Sequence, residues 1–208
     1  MRRAVLDIET VPLEIEAELT PEDSKKRSLD AIAGRVACVG IILVDEYIAS
    51  SAMAMCCTNE TQLLFDVWQY LKQQRVSRFV THNGLGFDLP FLWKRSIINR
   101  VKPTVALDLK KYRSDFVYDT MNVWSNWEPR QFVTLDALSR VLGVGEKSGS
   151  GSEVLDLWRT RQFETIARYC LDDCWLTYAC YCRMNFVEPT PRDGLPVDLR
   201  VESSTLVG

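Results

Sequence analysis

Apolar and polar positions along the chain alternate between the periods of strands and of helices. Apolar runs typical of strands occur at four places: residues 4–11, 35–44, 47–57 and 78–82. A short acidic turn joins the second and third runs, and this pattern predicts a hairpin. Helical spacing also occurs at four places: residues 61–73, 88–98, 132–142 and 162–185. Strands that come first and then alternate with helices indicate an α/β domain with a mixed sheet.

The regions between these elements complete the predicted organisation. Thr20 and Pro21 carry the N-cap and first-position signals of a further helix. Residues 104–124 have a mixed pattern that predicts a short strand followed by a helix from Tyr118, and residues 143–152 form a Gly/Ser-rich loop. We therefore predict one domain over residues 1–185 and an irregular C-terminal tail over residues 186–208.

Composition and charge exclude several classes of protein. The 208 residues are 47% hydrophobic and 25% charged, which are globular values, and the net charge of −3 argues against a nucleic-acid binder held by charge alone. No run approaches the roughly 20 apolar residues of a membrane span, and no secretory signal precedes the first strand. Seven cysteines without secretory context predict reduced thiols in a cytoplasmic protein, buried as small apolar side chains.

Acidic residues recur at spacings that bring carboxylates together. Asp7 and Glu9 lie two residues apart on a predicted strand, so both project from the same face. Two ionised carboxylates side by side repel each other unless a divalent cation lies between them, although a strand end where both reach water also satisfies the pattern. Asp88 begins a predicted helix, where capping is an alternative role, and Tyr169 and Asp173 share one face of the last long helix.

Three of these segments together resemble a known family. Leu6-Asp7-Ile8-Glu9-Thr10, Asn83-Gly84-Leu85-Gly86-Phe87-Asp88 and Tyr169-Cys170-Leu171-Asp172-Asp173 are similar to the three motifs of the DEDDy 3′–5′ exonucleases. The likeness is greatest to the proofreading domains of family-B DNA polymerases and their stand-alone relatives, and it extends over residues 3–185. It implies a ribonuclease H-like (RNase H-like) fold, an α/β architecture with a mixed central sheet flanked by helices.

The resemblance also implies roles for individual residues. It makes Asp7, Glu9, Asp88 and Asp173 the ligands of two divalent cations, Mg²⁺ or Mn²⁺, and it gives Tyr169 the task of orienting the attacking water. Asp172 lies three residues from Tyr169 and is an alternative to Asp173.

A second set of residues is expected to contact the substrate. The resemblance places Thr10, Val11, Asn83 and Phe87 against the terminal nucleotide, with core packing as the alternative for Phe87. Lys147 lies among glycines and serines of the predicted loop, where a cation and free amides suit phosphate.

These observations predict a metal-dependent 3′–5′ exonuclease that acts on 3′ ends of single-stranded DNA and releases nucleoside 5′-monophosphates. Two bound divalent cations would offset the four carboxylates, so an acidic chain remains compatible with a nucleic-acid substrate. An exoribonuclease is an alternative, and a non-catalytic interaction module with the same fold is another. A role in proofreading or DNA repair would need a polymerase partner acting in trans, because 208 residues leave no room for a polymerase domain.

Overall fold

A six-stranded mixed sheet forms the centre of the protein. The computed structural model describes residues 1–14, 20–147, 149 and 151–202. The strands are β1 (Arg2–Pro12), β2 (Gly34–Asp45), β3 (Ile48–Cys56), β4 (Arg78–Thr81), β5 (Val117–Asp119) and β6 (Val197–Val201). They lie in the order β5-β4-β1-β2-β3-β6. The pairs β1–β2 and β2–β3 are antiparallel, whereas β1–β4, β4–β5 and β3–β6 are parallel, so the predicted mixed sheet is confirmed.

Helices cover both faces of this sheet. They are α1 (Pro21–Leu29), α2 (Glu60–Gln73), α3 (Asp88–Ile98), α4 (Thr120–Trp124), α5 (Leu135–Val141), α6 (Val154–Arg159) and α7 (Phe163–Met184), with 3₁₀ turns at Pro129–Gln131 and Gly151–Glu153. The helices α2 and α3 pack in one apolar core, and α6 and α7 pack in the other. A buried ion pair between Arg95 and Glu60 (2.5 Å) fixes α3 against α2.

Strand β1 divides its side chains between the two cores. Ala4, Leu6 and Ile8 pack on the side of α2 and α3, whereas Val5 and Val11 pack on the side of α7. Because successive side chains of a strand point to opposite faces, Asp7 and Glu9 face α7. A shift of the β1–β2 register between Glu9 and Thr10 then bends the strand just after the two carboxylates.

Most predicted elements are present, and the differences have local causes. Helix α5 begins at Leu135, three residues later than predicted, because Thr134 is its N-cap and its hydroxyl accepts a hydrogen bond from the amide of Ala137 (3.2 Å). Helix α6 was not predicted, because its six residues are too few to show a helical period.

The C-terminal segment differs from the prediction of an irregular tail. Val197–Val201 form β6, which pairs with β3. Beyond it, the Glu202 carboxylate accepts a hydrogen bond from the amide of Thr58 (2.8 Å). The prolines that precede β6 argue against a strand in the sequence. A short edge strand also depends on pairing with its neighbour more than on its own residue pattern. Of the helices formed by the described residues, none combines the length and apolar character needed to cross a bilayer.

Candidate active site

Four carboxylates from three elements meet beside the middle of β1. Asp7 and Glu9 lie on β1, Asp88 lies on the first turn of α3, and Asp173 lies on α7. Ligand atoms of Asp7 and Glu9 and the thiol of Cys170 all lie within 4.8 Å of one another. The charge of Asp173 acts on both Asp7 and Glu9, which puts the α7 carboxylate in the same cluster.

Asp88 is tied directly to the strand that carries Asp7 and Glu9. Strand β1 pairs with β4 only over residues 3–5, so the amide of Ile8 is not used by that pairing. This amide donates to Oδ1 of Asp88 at 3.0 Å, and the Asp88 side chain is buried. The hydrogen bond holds the start of α3 against the midpoint of the Asp-x-Glu pair.

A second buried carboxylate shapes the turn that leads into α3. Asp119, at the end of β5, accepts hydrogen bonds from the amides of Asn83 (3.0 Å), Leu85 (2.9 Å) and Asn122 (3.2 Å). Asn83 has a φ of 62°, a left-handed conformation that asparagine tolerates better than most residues. Asp119 therefore joins β5, the turn and α4, and it fixes the direction in which Asp88 is presented.

Gly40 allows α7 to lie close to β1 and β2. It is paired with Asp7 across the β1–β2 ladder. A Cβ atom at this position would lie 2.8 Å from Sγ of Cys174 and 3.0 Å from Sγ of Cys170. Only glycine leaves room for the helix here, which explains a glycine within an otherwise apolar strand.

The carboxylates of the cluster hold protons more tightly than ordinary acids. Burial, reinforced by neighbouring acidic groups, raises the pKa of Asp7 and of Glu9 well above their usual values. Burial also raises the pKa of Asp88 to about 7 and that of Asp173 to about 6. Burial is the largest cause for all four carboxylates, and nearby acidic groups add to it.

This donor set fits a divalent cation. Among the described residues, Oδ1 of Asp173 is a buried oxygen with no hydrogen-bond partner. An orphaned buried carboxylate oxygen is costly, and coordination of a cation would satisfy it. Carboxylate oxygens are the ligands that Mg²⁺ and Mn²⁺ prefer, so Asp7, Glu9, Asp88 and Asp173 suit these ions.

The ammonium group of Lys147 lies beside this cluster. Its Nζ lies 2.6 Å from Oδ2 of Asp173 and 5.4 Å from the centre of the Tyr169 ring. Burial alone would lower the pKa of Lys147, but the ion pair with Asp173 outweighs it and the pKa is raised. Burial and the charges of Asp173 and Glu9 raise the pKa of Tyr169, so its hydroxyl stays protonated near neutral pH. In the metal-free cluster, Tyr169 can therefore donate a hydrogen bond.

The two adjacent aspartates of α7 have different surroundings. Asp173 is buried and faces Lys147 and the β1 carboxylates. Asp172 lies 2.6 Å from the guanidinium of Arg192 and borders a different depression, together with Trp175. Of the two residues, it is Asp173 that joins the cluster.

A cleft of about 700 Å³ opens beside the carboxylates. Thr10 and Phe87, both predicted to contact substrate, line it together with Lys25, Leu155 and Arg159. The cleft thus offers two basic side chains and an apolar surface next to Glu9. Glu22 and Asp156 also line it, and the Asp156 carboxylate pairs with the Arg159 guanidinium at 3.3 Å.

Two other predicted substrate contacts lie elsewhere. The Val11 side chain is fully buried in the core beneath α7 and lies outside the residues that line the cleft, so its contact with substrate stays a prediction. Asn83 lies outside the residues that line the cleft, and its carbonyl accepts from the amides of Gly86 (3.0 Å) and Phe87 (2.9 Å). These hydrogen bonds brace the turn before α3.

Several residues that shape the site were not identified from the sequence. Gly40 left a signal, because glycine inside a strand often marks a close approach of another element. Asp119 ends a short strand and its three hydrogen bonds come from residues that are distant in sequence or on the next helix. Lys25 and Arg159 lie on α1 and α6, and only the tertiary fold brings them to one cleft.

A protein-family profile matches most of the chain. Residues 31–190 match the profile of a family described as "Predicted 3′-5′ exonuclease related to the exonuclease domain of PolB". No curated protein matches the chain significantly.

A solved structure shares the fold. The family B DNA polymerase of the hyperthermophilic archaeon Pyrobaculum calidifontis superposes with a TM-score of 0.63 and 19% sequence identity, over 85% of this chain and 23% of the polymerase. The chain thus spans less than a quarter of the length of that polymerase, and the two proteins are similar in fold. The predicted RNase H-like fold is confirmed. Since the family profile covers most of its length, the chain belongs to the predicted 3′–5′ exonucleases related to the exonuclease domain of PolB.

Proposed function

We propose that the protein is a DEDDy-type exonuclease that uses two divalent cations, Mg²⁺ or Mn²⁺, to remove nucleoside 5′-monophosphates from the 3′ ends of single-stranded DNA. The observation that carries this proposal is the convergence of four carboxylates from β1, α3 and α7, one of which has a buried oxygen with no hydrogen-bond partner among the described residues. A cluster kept at such electrostatic cost has a purpose beyond stability.

The four carboxylates would hold the cations, and the remaining residues would act on substrate and water. When bound, the two cations supply a more acidic water and stabilise the charge that develops on the phosphate and the leaving oxygen. The protonated Tyr169 hydroxyl would donate a hydrogen bond and so fix the position of the attacking water. Binding of cations to Asp173 would weaken its ion pair with Lys147. The Lys147 ammonium group would then lie beside the scissile phosphate.

The cleft next to Glu9 suits a terminal nucleotide. Its volume of about 700 Å³ is within the range of small-ligand sites. Lys25 and Arg159 would pair with phosphate, while Phe87 and Leu155 present apolar surface to the sugar or base. Thr10 would contribute a hydroxyl at the mouth of the cleft.

DNA is the proposed substrate and RNA is the rival, since either sugar can enter a cleft of this size. We further propose that the protein acts in the cytoplasm, and that any part in DNA repair or proofreading is played beside a polymerase. An interaction module without catalysis would have no use for a cluster of carboxylates with raised pKa values, and this argues for the enzyme.

The test is a cleavage assay on matched oligonucleotides. Single-stranded DNA and RNA of one sequence, each labelled at the 5′ end, are incubated with Mg²⁺, with Mn²⁺ or with EDTA. We expect a ladder that shortens from the 3′ end, needs the metal, and proceeds faster on DNA. Asp7→Asn and Asp173→Asn should abolish it, whereas Asp172→Asn is the matched control next to Asp173 and should retain it.

Each other outcome has a defined meaning. Faster cleavage of the RNA would replace the proposed substrate with the rival one. No cleavage of either strand by the wild type, with Mn²⁺ bound, would overturn the enzyme proposal in favour of an interaction module. Loss of activity in Asp172→Asn but not in Asp173→Asn would exchange the roles of the two aspartates.

A further inference from the structure

A buried thiol faces the carboxylate cluster. Sγ of Cys170 lies 3.5 Å from Oδ2 of Asp7 and the same distance from the Asp7 carbonyl oxygen. The thiol is fully buried, and with Asp7 and Glu9 it forms the set of ligand atoms within 4.8 Å. The sequence suggested only packing for this cysteine, but its sulfur points at the two β1 carboxylates.

The separation of two of these atoms suits a small tetrahedral ion. Ligand atoms around zinc, at bond lengths of about 2.0–2.3 Å, lie about 3.5 Å from one another. The sulfur of Cys170 and the nearest oxygen of Asp7 already have this separation. Oδ1 of Asp173, buried and without a partner among the described residues, lies outside this set of three, but the charge of Asp173 acts on both Asp7 and Glu9.

Chemistry separates the ions that would use the sulfur from those that would not. Mg²⁺ prefers oxygen ligands and gains little from a thiolate, whereas Zn²⁺ and Cd²⁺ bind thiolates strongly. A site with two carboxylates and one thiol therefore has two modes, an all-oxygen mode for Mg²⁺ or Mn²⁺ and a mixed mode for thiophilic ions.

We infer that Cys170 is a sulfur ligand that lets the cluster capture Zn²⁺ or Cd²⁺ with Asp7 and Glu9. On binding, the thiol loses its proton to solvent and the sulfur forms the bond to the metal, and any protons held by the Asp7 and Glu9 carboxylates leave for solvent as these oxygens bind the ion. The ion would then occupy the place of a Mg²⁺ ion. This inference rests on the cluster being a metal site, as proposed above.

The test measures Cd²⁺ binding through its ultraviolet sulfur-to-metal charge-transfer absorption, which does not depend on activity. A Cys57→Ser background removes the one cysteine that is partly exposed. In this background we expect one charge-transfer band per chain, with a Cd²⁺ affinity that falls about tenfold or more in Cys170→Ser and Cys170→Ala. Cys174→Ser, which alters the next thiol along α7, is the matched control and should keep the band.

Two further measurements locate the site and check that the variants fold. Asp7→Asn should weaken the Cd²⁺ band, because the carboxylate shares the ion with the sulfur. Mn²⁺ affinity, measured by electron paramagnetic resonance, should change less than about threefold in Cys170→Ser, which shows a folded site and a loss specific to thiophilic ions.

The outcomes separate this inference from the proposed function. A Cd²⁺ band that is unchanged in both Cys170 variants, or unchanged in Asp7→Asn, would refute the role of Cys170 as a ligand. The proposed exonuclease activity would stand. Equal losses of Mn²⁺ and Cd²⁺ affinity in both Cys170 variants would also refute the ligand role, because they would indicate a packing role. A Cys170-dependent band in a protein that cleaves no nucleic acid would support the ligand and refute the exonuclease.

Discussion

Replacement of Asp88 by asparagine should change how the stability of the metal-free protein depends on pH. The pKa of Asp88 is raised from 3.8 to about 7, so the native state keeps a proton that the unfolded chain releases. Since the native state binds more protons, the free energy of unfolding must fall as the pH rises through this window. At 1.36 kcal/mol per pKa unit, the shift corresponds to about 4 kcal/mol.

Asparagine keeps the shape of Asp88 and the oxygen that accepts from the Ile8 amide, but it has no proton to lose. In EDTA, the unfolding free energies of wild type and Asp88→Asn should therefore diverge as the pH rises from about 4 to about 8. The variant should gain up to about 4 kcal/mol relative to the wild type at the upper end.

Urea unfolding at several pH values, followed by circular dichroism, measures this divergence. Asp193→Asn, an exposed aspartate before β6, is the control and should run parallel to the wild type. Saturating Mg²⁺ should stabilise the wild type at pH 8 more than it stabilises Asp88→Asn, because the variant has lost a ligand. Parallel curves for wild type and Asp88→Asn in EDTA would refute the view that Asp88 keeps its proton in the metal-free cluster.

Three further substitutions test the supports of the site. Gly40→Ala places a Cβ 2.8 Å from Sγ of Cys174, so it should cost about 1–3 kcal/mol in urea unfolding and weaken Mn²⁺ binding. Unchanged stability and affinity would show that α7 does not depend on this contact. Asp119→Ala leaves three amides without their acceptor, so we expect a loss of about 3 kcal/mol and faster hydrogen exchange at Leu85. Normal protection of Leu85 would contradict the bracing role. Tyr169→Phe should keep Mn²⁺ binding but slow cleavage about tenfold or more, and a wild-type rate would remove Tyr169 from the mechanism.

The sequence predicts those parts of the fold that depend on local pattern. Helix α3 has the bounds expected from its spacing, and the β2–β3 hairpin follows from two apolar runs and a short turn. Strand β6 was not predicted, because its pairing partner β3 lies some 140 residues away and supplies the stabilisation that its own residues lack. Helix α6 was missed because six residues are too short a window for periodicity.

The candidate site was likewise only partly predictable from the sequence. The motif residues Asp7, Glu9, Asp88 and Asp173 could be named from their spacing and resemblance, and the structure brings them together. The ion pair of Lys147 with Asp173 could not be predicted, because it depends on where the tertiary fold places Lys147 relative to α7.

The residues that hold the site in place, Gly40 and Asp119, were not identified from the sequence. The fit of α7 over Gly40 and the bond network of Asp119 each join elements that are far apart in the chain. Spacing identifies residues that share an element, whereas contacts between elements depend on the packing of the whole fold.

The central claim is hydrolysis at the 3′ terminus, and mass spectrometry of the products formed in ¹⁸O-labelled water tests it most directly. Single-stranded DNA with Mg²⁺ should yield deoxynucleoside 5′-monophosphates from the first turnovers onward, each with one ¹⁸O on its phosphate, because the attacking oxygen comes from water. Asp173→Asn should yield none. Nucleoside 3′-monophosphates, short oligonucleotides as the first products, or unlabelled monophosphates would contradict the account.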